Sequence, residues 1–139
     1  MRLNRALLAE ARLPYNIRLM EFQTLVVERV FSDGEAQGVL ALKGPLTSDN
    51  LHAFQNALRR ENTPTLILDL TQVPYIDSSG LGSLVGAYVS CHKAGQQVVL
   101  TGLNERVAKL FEITRLEPLF LIFPDLDTAL EALTNSGSA

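Results

Sequence analysis

The chain has 139 residues, a net charge of −3 and 47% hydrophobic content, enough for one self-sufficient core and too apolar for intrinsic disorder. Its single cysteine, Cys91, excludes an internal disulfide framework and a multi-cysteine zinc site, and His52 and His92 as the only histidines exclude a histidine-rich metal centre. No apolar run approaches the roughly 18 residues of a membrane span, and no block of basic residues marks a nucleic-acid surface.

Residues 1–19 carry Arg2, Arg5, Arg12 and Arg18 against Glu10, a local charge of +3 that leaves −6 for the rest. This extension lacks the continuous apolar stretch and small-residue cleavage pattern of a secretory signal. Leu3, Leu7 and Ala11 share one helical face, which allows a short amphipathic helix. The blander readings, an upstream start codon with Met20 opening the domain proper or a frayed terminus, are preferred to a docking role.

From Met20 the pattern alternates in period. Thr24–Phe31 reads as a strand ended by Ser32-Asp33-Gly34, and Gly38–Lys43 as a second strand ended by Gly44-Pro45. The two are close enough for an antiparallel hairpin. Thr47, Ser48 or Asp49 then caps a helix with Leu51, Phe54 and Leu58 on one face, stopped at Thr63-Pro64. Thr65–Leu70 is a strand of the buried kind. A second helix runs from Ser78 or Ser79 to about Lys93, with Gly95 as its stop. Gln97–Thr101 is the next strand, Asn104 caps a third helix bearing Val107, Leu110, Phe111 and Thr114, and Leu119–Phe123 is the last strand. Pro124-Asp125 opens a final helix through Leu133, and residues 134–139 form a flexible polar tail. Strands alternating with helices predict one α/β domain, residues 20–133, with a mostly parallel sheet of about five strands and an N-terminal antiparallel hairpin.

The segment that carries chemistry is Val73-Pro74-Tyr75-Ile76-Asp77-Ser78-Ser79-Gly80-Leu81-Gly82. It joins a buried strand to a helix, where parallel α/β sheets place function. Asp77 and the serines offer oxygens to the first N–H groups of the helix. One reading is simply a well-capped helix start. The glycines argue for more, because each costs about 0.5–1 kcal/mol in a helix relative to alanine, and Gly80, Gly82 and Gly86 all fall in this one. They leave room for another backbone or a phosphate to approach. Leu81, Leu84, Val85, Tyr88 and His92 form the expected core stripe, while Ser79, Ser83, Gly86 and Ser90 form a stripe of small residues. That second stripe faces either an intramolecular neighbour, such as the third helix, or a partner protein.

The run Ile76-Asp77-Ser78-Ser79-Gly80-Leu81-Gly82, after the strand Leu66–Leu70, resembles the signature of STAS domains of the anti-sigma factor antagonist branch. The likeness extends from about Phe22 to Leu133, through the Gly44 turn, the Asn104 helix and the Thr114…Leu116…Phe120 stretch. It implies a βα superhelix and a bacterial, cytoplasmic, non-enzymatic protein without cofactor or metal, monomeric or weakly dimeric. It further implies a phosphoacceptor serine at Ser78, phosphorylated by a serine kinase of the histidine-kinase-like ATPase type that is also the anti-sigma factor. A PP2C-type phosphatase would restore it. The partner surface would comprise Thr47, Asp77, Ser78, Ser79, Gly80, Leu81, Gly82, Ser83 and Gly86. Two positions depart from the family pattern: Thr47 stands where members often carry an acid, and Arg115 where they frequently carry glycine. Arg115 would cost on the order of 1 kcal/mol in a left-handed conformation.

Two other readings compete: a STAS scaffold of a stressosome-like or lipid-transport complex, and a small α/β nucleotide-binding or enzymatic domain. Against the last, no Walker A lysine follows a glycine loop and no Gly-x-Ser-x-Gly elbow occurs. Asp49, Asp69, Asp77 and Asp125 lack the adjacent-acid pattern of a phosphoaspartate receiver. Cys91 reads as a buried small hydrophobe.

Overall fold

The computed structural model describes residues 24–30 and 36–138; the extension at 1–19, the start at Met20 and the Ser32-Asp33-Gly34 break lie outside them. Five strands form one sheet in sequential order: β1 (Val26–Val30), β2 (Gln37–Lys43), β3 (Thr65–Gln72), β4 (Gln97–Thr101) and β5 (Leu121–Phe123). β1 and β2 make the antiparallel hairpin, with Val27 opposite Leu42 and Arg29 opposite Leu40. The other pairings are parallel, as the alternation of strands and helices requires. The expected α/β architecture is the observed one.

Between the strands run α1 (Leu51–Arg59), α2 (Ser78–Lys93) and α3 (Glu105–Ile113), and α4 (Leu126–Ser138) follows β5. The main core lies under α1, α2 and α3, where Leu40, Leu42, Leu66, Leu68 and Leu100 from the sheet meet Phe54, Leu84 and Phe111 from the helices. On the opposite sheet face Val39, Ile67 and Val99 pack on Ala129 of α4. β2 to β4 are covered on both faces, so they read as continuous apolar runs.

Three local expectations are corrected. The N-cap of α1 is Asn50 rather than Thr47, Ser48 or Asp49, and its side chain makes no capping bond. It turns back instead, and its Oδ1 accepts from the Thr47 N–H at 2.9 Å and the Thr47 hydroxyl at 3.1 Å. Second, Glu117–Leu119 is a 3₁₀ turn, and β5 begins only at Leu121. Phe120 between them is buried against Phe111 and Tyr88 in edge-to-face contacts, which bends the chain before it can join the sheet. Third, helical backbone continues to Ser138, across the stretch read as a polar tail. Arg115 does adopt the left-handed conformation, with φ 60°, the one non-glycine residue among those described to do so. The reversal closes α3: Leu116 N–H donates to the Phe111 carbonyl at 3.0 Å.

Candidate functional site

The site forms where the carboxyl ends of β2 and β3 run on into loops. Beyond the strands, Leu46 and Ile76 make one further parallel bridge. Leu46 N–H donates to the Tyr75 carbonyl at 3.2 Å, and Asp77 N–H donates to the Leu46 carbonyl at 3.2 Å. The turn at Gly44–Asn50 and the loop at Val73–Asp77 are thereby a single rigid piece.

Asp77 caps α2. Its Oδ1 accepts from Gly80 N–H at 2.8 Å, satisfying one of the helix's first N–H groups. Its Oδ2 accepts from Ser48 N–H at 3.1 Å. One carboxylate therefore holds the helix start and the neighbouring turn together. Ser78 is the first residue of α2 and is exposed, as is Ser79. A phosphoryl group on Ser78 would lie at the positive end of the helix macrodipole.

The three glycines of α2 divide. Gly80 is buried, and a Cβ there would run into the backbone carbonyl of Leu46. The close approach expected at this position is thus internal, not a partner's. Gly82 and Gly86 are exposed, with nothing within 4 Å of where a Cβ would stand. Ser83 is half-buried and donates its hydroxyl to the Gly80 carbonyl at 2.7 Å. Leu81 is a core residue, not a surface one. Thr47 is half-buried in the adjacent turn, where its Oγ1 accepts from Asp49 N–H at 3.3 Å.

The core stripe of α2 differs from the expected one. Leu81, Leu84, Ala87 and Cys91 are buried and Tyr88 is partly so, while His92 is exposed and stacks on Tyr88 at 5.6 Å. At 3.6 residues per turn the buried face is rotated by roughly 60° from the predicted one. The stripe of small residues consequently lies over α1, not α3. Between the two helices runs a groove of about 680 Å³, bounded by Leu51 and Leu58 on one side and Gly82, Gly86 and Cys91 on the other. Burial pushes the Cys91 thiol up from its ordinary pKa.

The cap expected at Asn104 is observed; its second set of bonds and the role of Arg106 escaped the sequence reading. Asn104 caps α3 by accepting from Val107 N–H at 2.8 Å. Its Nδ2 also donates to the Val73 and Pro74 carbonyls at 3.2 and 3.1 Å, pinning the loop that carries Asp77. An amide side chain carries on separate atoms the acceptor and the donors that this takes. Arg106 sets its guanidinium over the Tyr75 ring, 5.2 Å from the centroid.

The other aspartates do not converge. Asp69 Oδ1 accepts from the hydroxyls of Thr71 at 2.6 Å and Thr101 at 3.2 Å, whereas Asp125 caps α4 through Thr128 N–H at 2.7 Å. Those bonds to Thr128 hold the Asp125 carboxyl below the usual carboxylate range. Among the described residues no three His, Cys, Asp or Glu side chains are placed to hold a metal ion. No helix among them is long and apolar enough to cross a membrane.

The chain is 47% identical over 57 residues to the anti-sigma-B factor antagonist of Listeria monocytogenes, a match covering 41% of this chain and 50% of that protein. It thus spans about half the length of that relative. In solved structures, an anti-sigma factor antagonist from Mycobacterium paratuberculosis superposes with TM-score 0.65 at 23% identity, covering 76% of this chain and 92% of that one. The Bacillus cell fate determinant SpoIIAA in its phosphorylated form gives 0.60 at 17%, covering 78% and 99%. At those identities the structures show a shared fold. Residues 26–129 match the STAS domain family, and with most of its length so matched the chain belongs to that family, homologous to the anti-sigma-B factor antagonists.

Proposed function

We propose that this protein is an anti-sigma factor antagonist controlled by phosphorylation of Ser78. Unphosphorylated, it binds an anti-sigma factor that is also a serine kinase of the histidine-kinase-like ATPase type, and so frees a sigma factor. Phosphorylation ends that binding, and a PP2C-type phosphatase restores it. The observation that carries this reading is the position of Ser78: an exposed hydroxyl on the first residue of α2, directly after the capping Asp77, on a loop braced by Leu46, Ser48 and Asn104. A kinase can reach this hydroxyl without unfolding anything. The name of the Listeria relative as an antagonist supports the partner, and the phosphorylated form of SpoIIAA supports the chemistry. The partner surface on this reading is Ser78, Ser79, Gly82, Ser83 and Gly86, with Thr47 at its edge. Asp77, Gly80 and Leu81 act from beneath.

Ser78 is expected to take one phosphoryl group from ATP and the cognate kinase, and Ser79 none. Intact mass with phosphopeptide mapping checks this. Phosphate on Ser79, or on Thr47 alone, would overturn the assignment. Ser78→Ala should remain folded and bind the partner permanently.

A further inference from the structure

We propose that the free edge of β5 is a self-association surface, on which two copies of this chain join strand to strand about a two-fold axis. The inference is independent of whether Ser78 is phosphorylated. β5 closes one side of the sheet and, among the described residues, pairs only with β4. In a parallel ladder alternate residues turn both backbone groups to the same neighbour. The Phe123 carbonyl accepts from Gly102 N–H at 3.2 Å, so Leu121 and Phe123 face β4 while Ile122 turns its N–H and C=O outward. On either side the edge is closed to further bonds from N–H groups. Phe120 N–H already donates to the Glu117 carbonyl at 3.2 Å, and Pro124 has none.

The occupant is a second copy because this edge is complementary to itself. When two such strands run antiparallel about an axis through Ile122, each Ile122 N–H meets the Ile122 carbonyl of the other copy, and both bonds are made. The same register sets Leu121 opposite Phe123 of the second copy, once on each side of the axis. By alternation these two side chains share one sheet face. Phe123 packs there against the cluster of Val39, Ile67, Val99 and Ala129, whereas Leu121 is 41% exposed. Pairing covers Leu121 with an aromatic ring and carries that apolar cluster across the axis. No charged residue stands in this strand. The opposite edge of the sheet is built otherwise. β1 has Glu28 and Arg29 in its middle, both exposed, and two-fold pairing about either sets like charges face to face, as edges that avoid one another do.

Three residues a side bury far less than the roughly 1,200 Å² of a stable complex, so the dimer is transient and half-formed at about 1 mM. It joins two five-stranded sheets into one continuous sheet. Because the strands run antiparallel across the axis, the carboxyl ends of β2 and β3 point to opposite ends of that sheet. The two copies of Ser78 therefore stay exposed and separate. Each site remains open to its own partner, and no compact partner spans both.

Sedimentation equilibrium of the full-length, unphosphorylated chain tests this. The weight-average mass should be that of a monomer at about 10 μM and lie midway to the dimer at about 1 mM. A monomer throughout overturns the proposal, and so does a mass that climbs past the dimer, as open-ended stacking would give. Leu121→Lys, at an exposed position, sets a charge against Phe123 of the second copy on both sides of the axis. It should weaken dimerisation about tenfold and leave the folding midpoint unchanged. Equal dimerisation would place the contact elsewhere and overturns the proposal. Ile122→Cys tests the register without relying on that variant. In a hydrogen-bonded antiparallel pair the two Cα atoms are about 5.5 Å apart, within disulfide range, and the chain's own Cys91 is buried. Under mild oxidation at about 1 mM this variant should be trapped as a covalent dimer linked at position 122, and the parent chain should not. Failure to trap it, or a bridge to Cys91 instead, overturns the pairing. None of these measurements involves phosphate or a kinase, so a failure here leaves the switch standing, and the converse holds.

Discussion

Gly80 and Gly82 sit two positions apart in α2 and answer to opposite constraints. At Gly80 the missing Cβ is the space occupied by the Leu46 carbonyl, the same oxygen that accepts from Asp77 N–H. Gly80→Ala must therefore push the Gly44–Asn50 turn away from the Val73–Asp77 loop, and should lose about 1–3 kcal/mol of stability, as overpacking does. At Gly82 a methyl group meets nothing within 4 Å. Gly82→Ala should gain about 0.5–1 kcal/mol, the ordinary difference between the two residues in a helix. Urea denaturation of the two variants checks the pair. A neutral Gly80→Ala would mean that the turn gives way freely and that Leu46 does not pin the site. The same single-residue economy appears in Asp77 and Asn104, each of which bonds its own helix start with one atom and a distant loop with another.

At the scale of elements, α2 decides the geometry of the site. Leu84 is fully buried beneath it, and Leu84→Ala should destabilise the domain by about 2–5 kcal/mol. His92→Ala should stay within about 0.5 kcal/mol of the parent, since that ring is exposed. A larger loss at His92 than at Leu84 would place the helix in the rotation read from the sequence alone. That rotation was not legible because the buried face includes Ala87 and Cys91, residues too small to stand out against Val85 and His92 in a periodicity. The strands and the hairpin were legible, since runs such as Leu66–Leu68 and Val98–Leu100 have no other stable place than a covered sheet. The start of α1 was not. Four consecutive residues, Thr47 to Asn50, have polar side chains able to cap, and the outcome turns on Asn50 bonding Thr47 while Asp77, 29 residues away, takes Ser48 N–H. Local sequence carries no trace of such a contact. Ser78 and its cap were legible for the opposite reason, because Asp-Ser-Ser-Gly after a buried strand is a local instruction to begin a helix.

For the whole molecule, the question is how one phosphoryl group could change a partner's affinity without changing the fold. The group adds about −1.5 to −2 charge at neutral pH. It would sit at the N-terminus of α2, where a negative charge is favourable to the domain itself. Asp77 is already engaged by Gly80 and Ser48 N–H groups, so the cap need not be given up. Folding stability should therefore survive phosphorylation or rise slightly. A partner is in a different position. To pack closely over Ser78, Gly82 and Gly86 it must strip water from the phosphate with the Asp77 carboxylate alongside, and a buried charge without a cation to pair it costs several kcal/mol. Every 1.4 kcal/mol is a factor of ten in affinity, so phosphorylation of Ser78 should weaken binding at least about a hundredfold with the backbone unchanged. Ser78→Asp should reproduce only part of the loss, having less charge and fewer oxygens. Calorimetric titration of the two forms against the anti-sigma factor kinase decides it: equal affinities would remove the switch, and tighter binding of the phosphorylated form would reverse its sign.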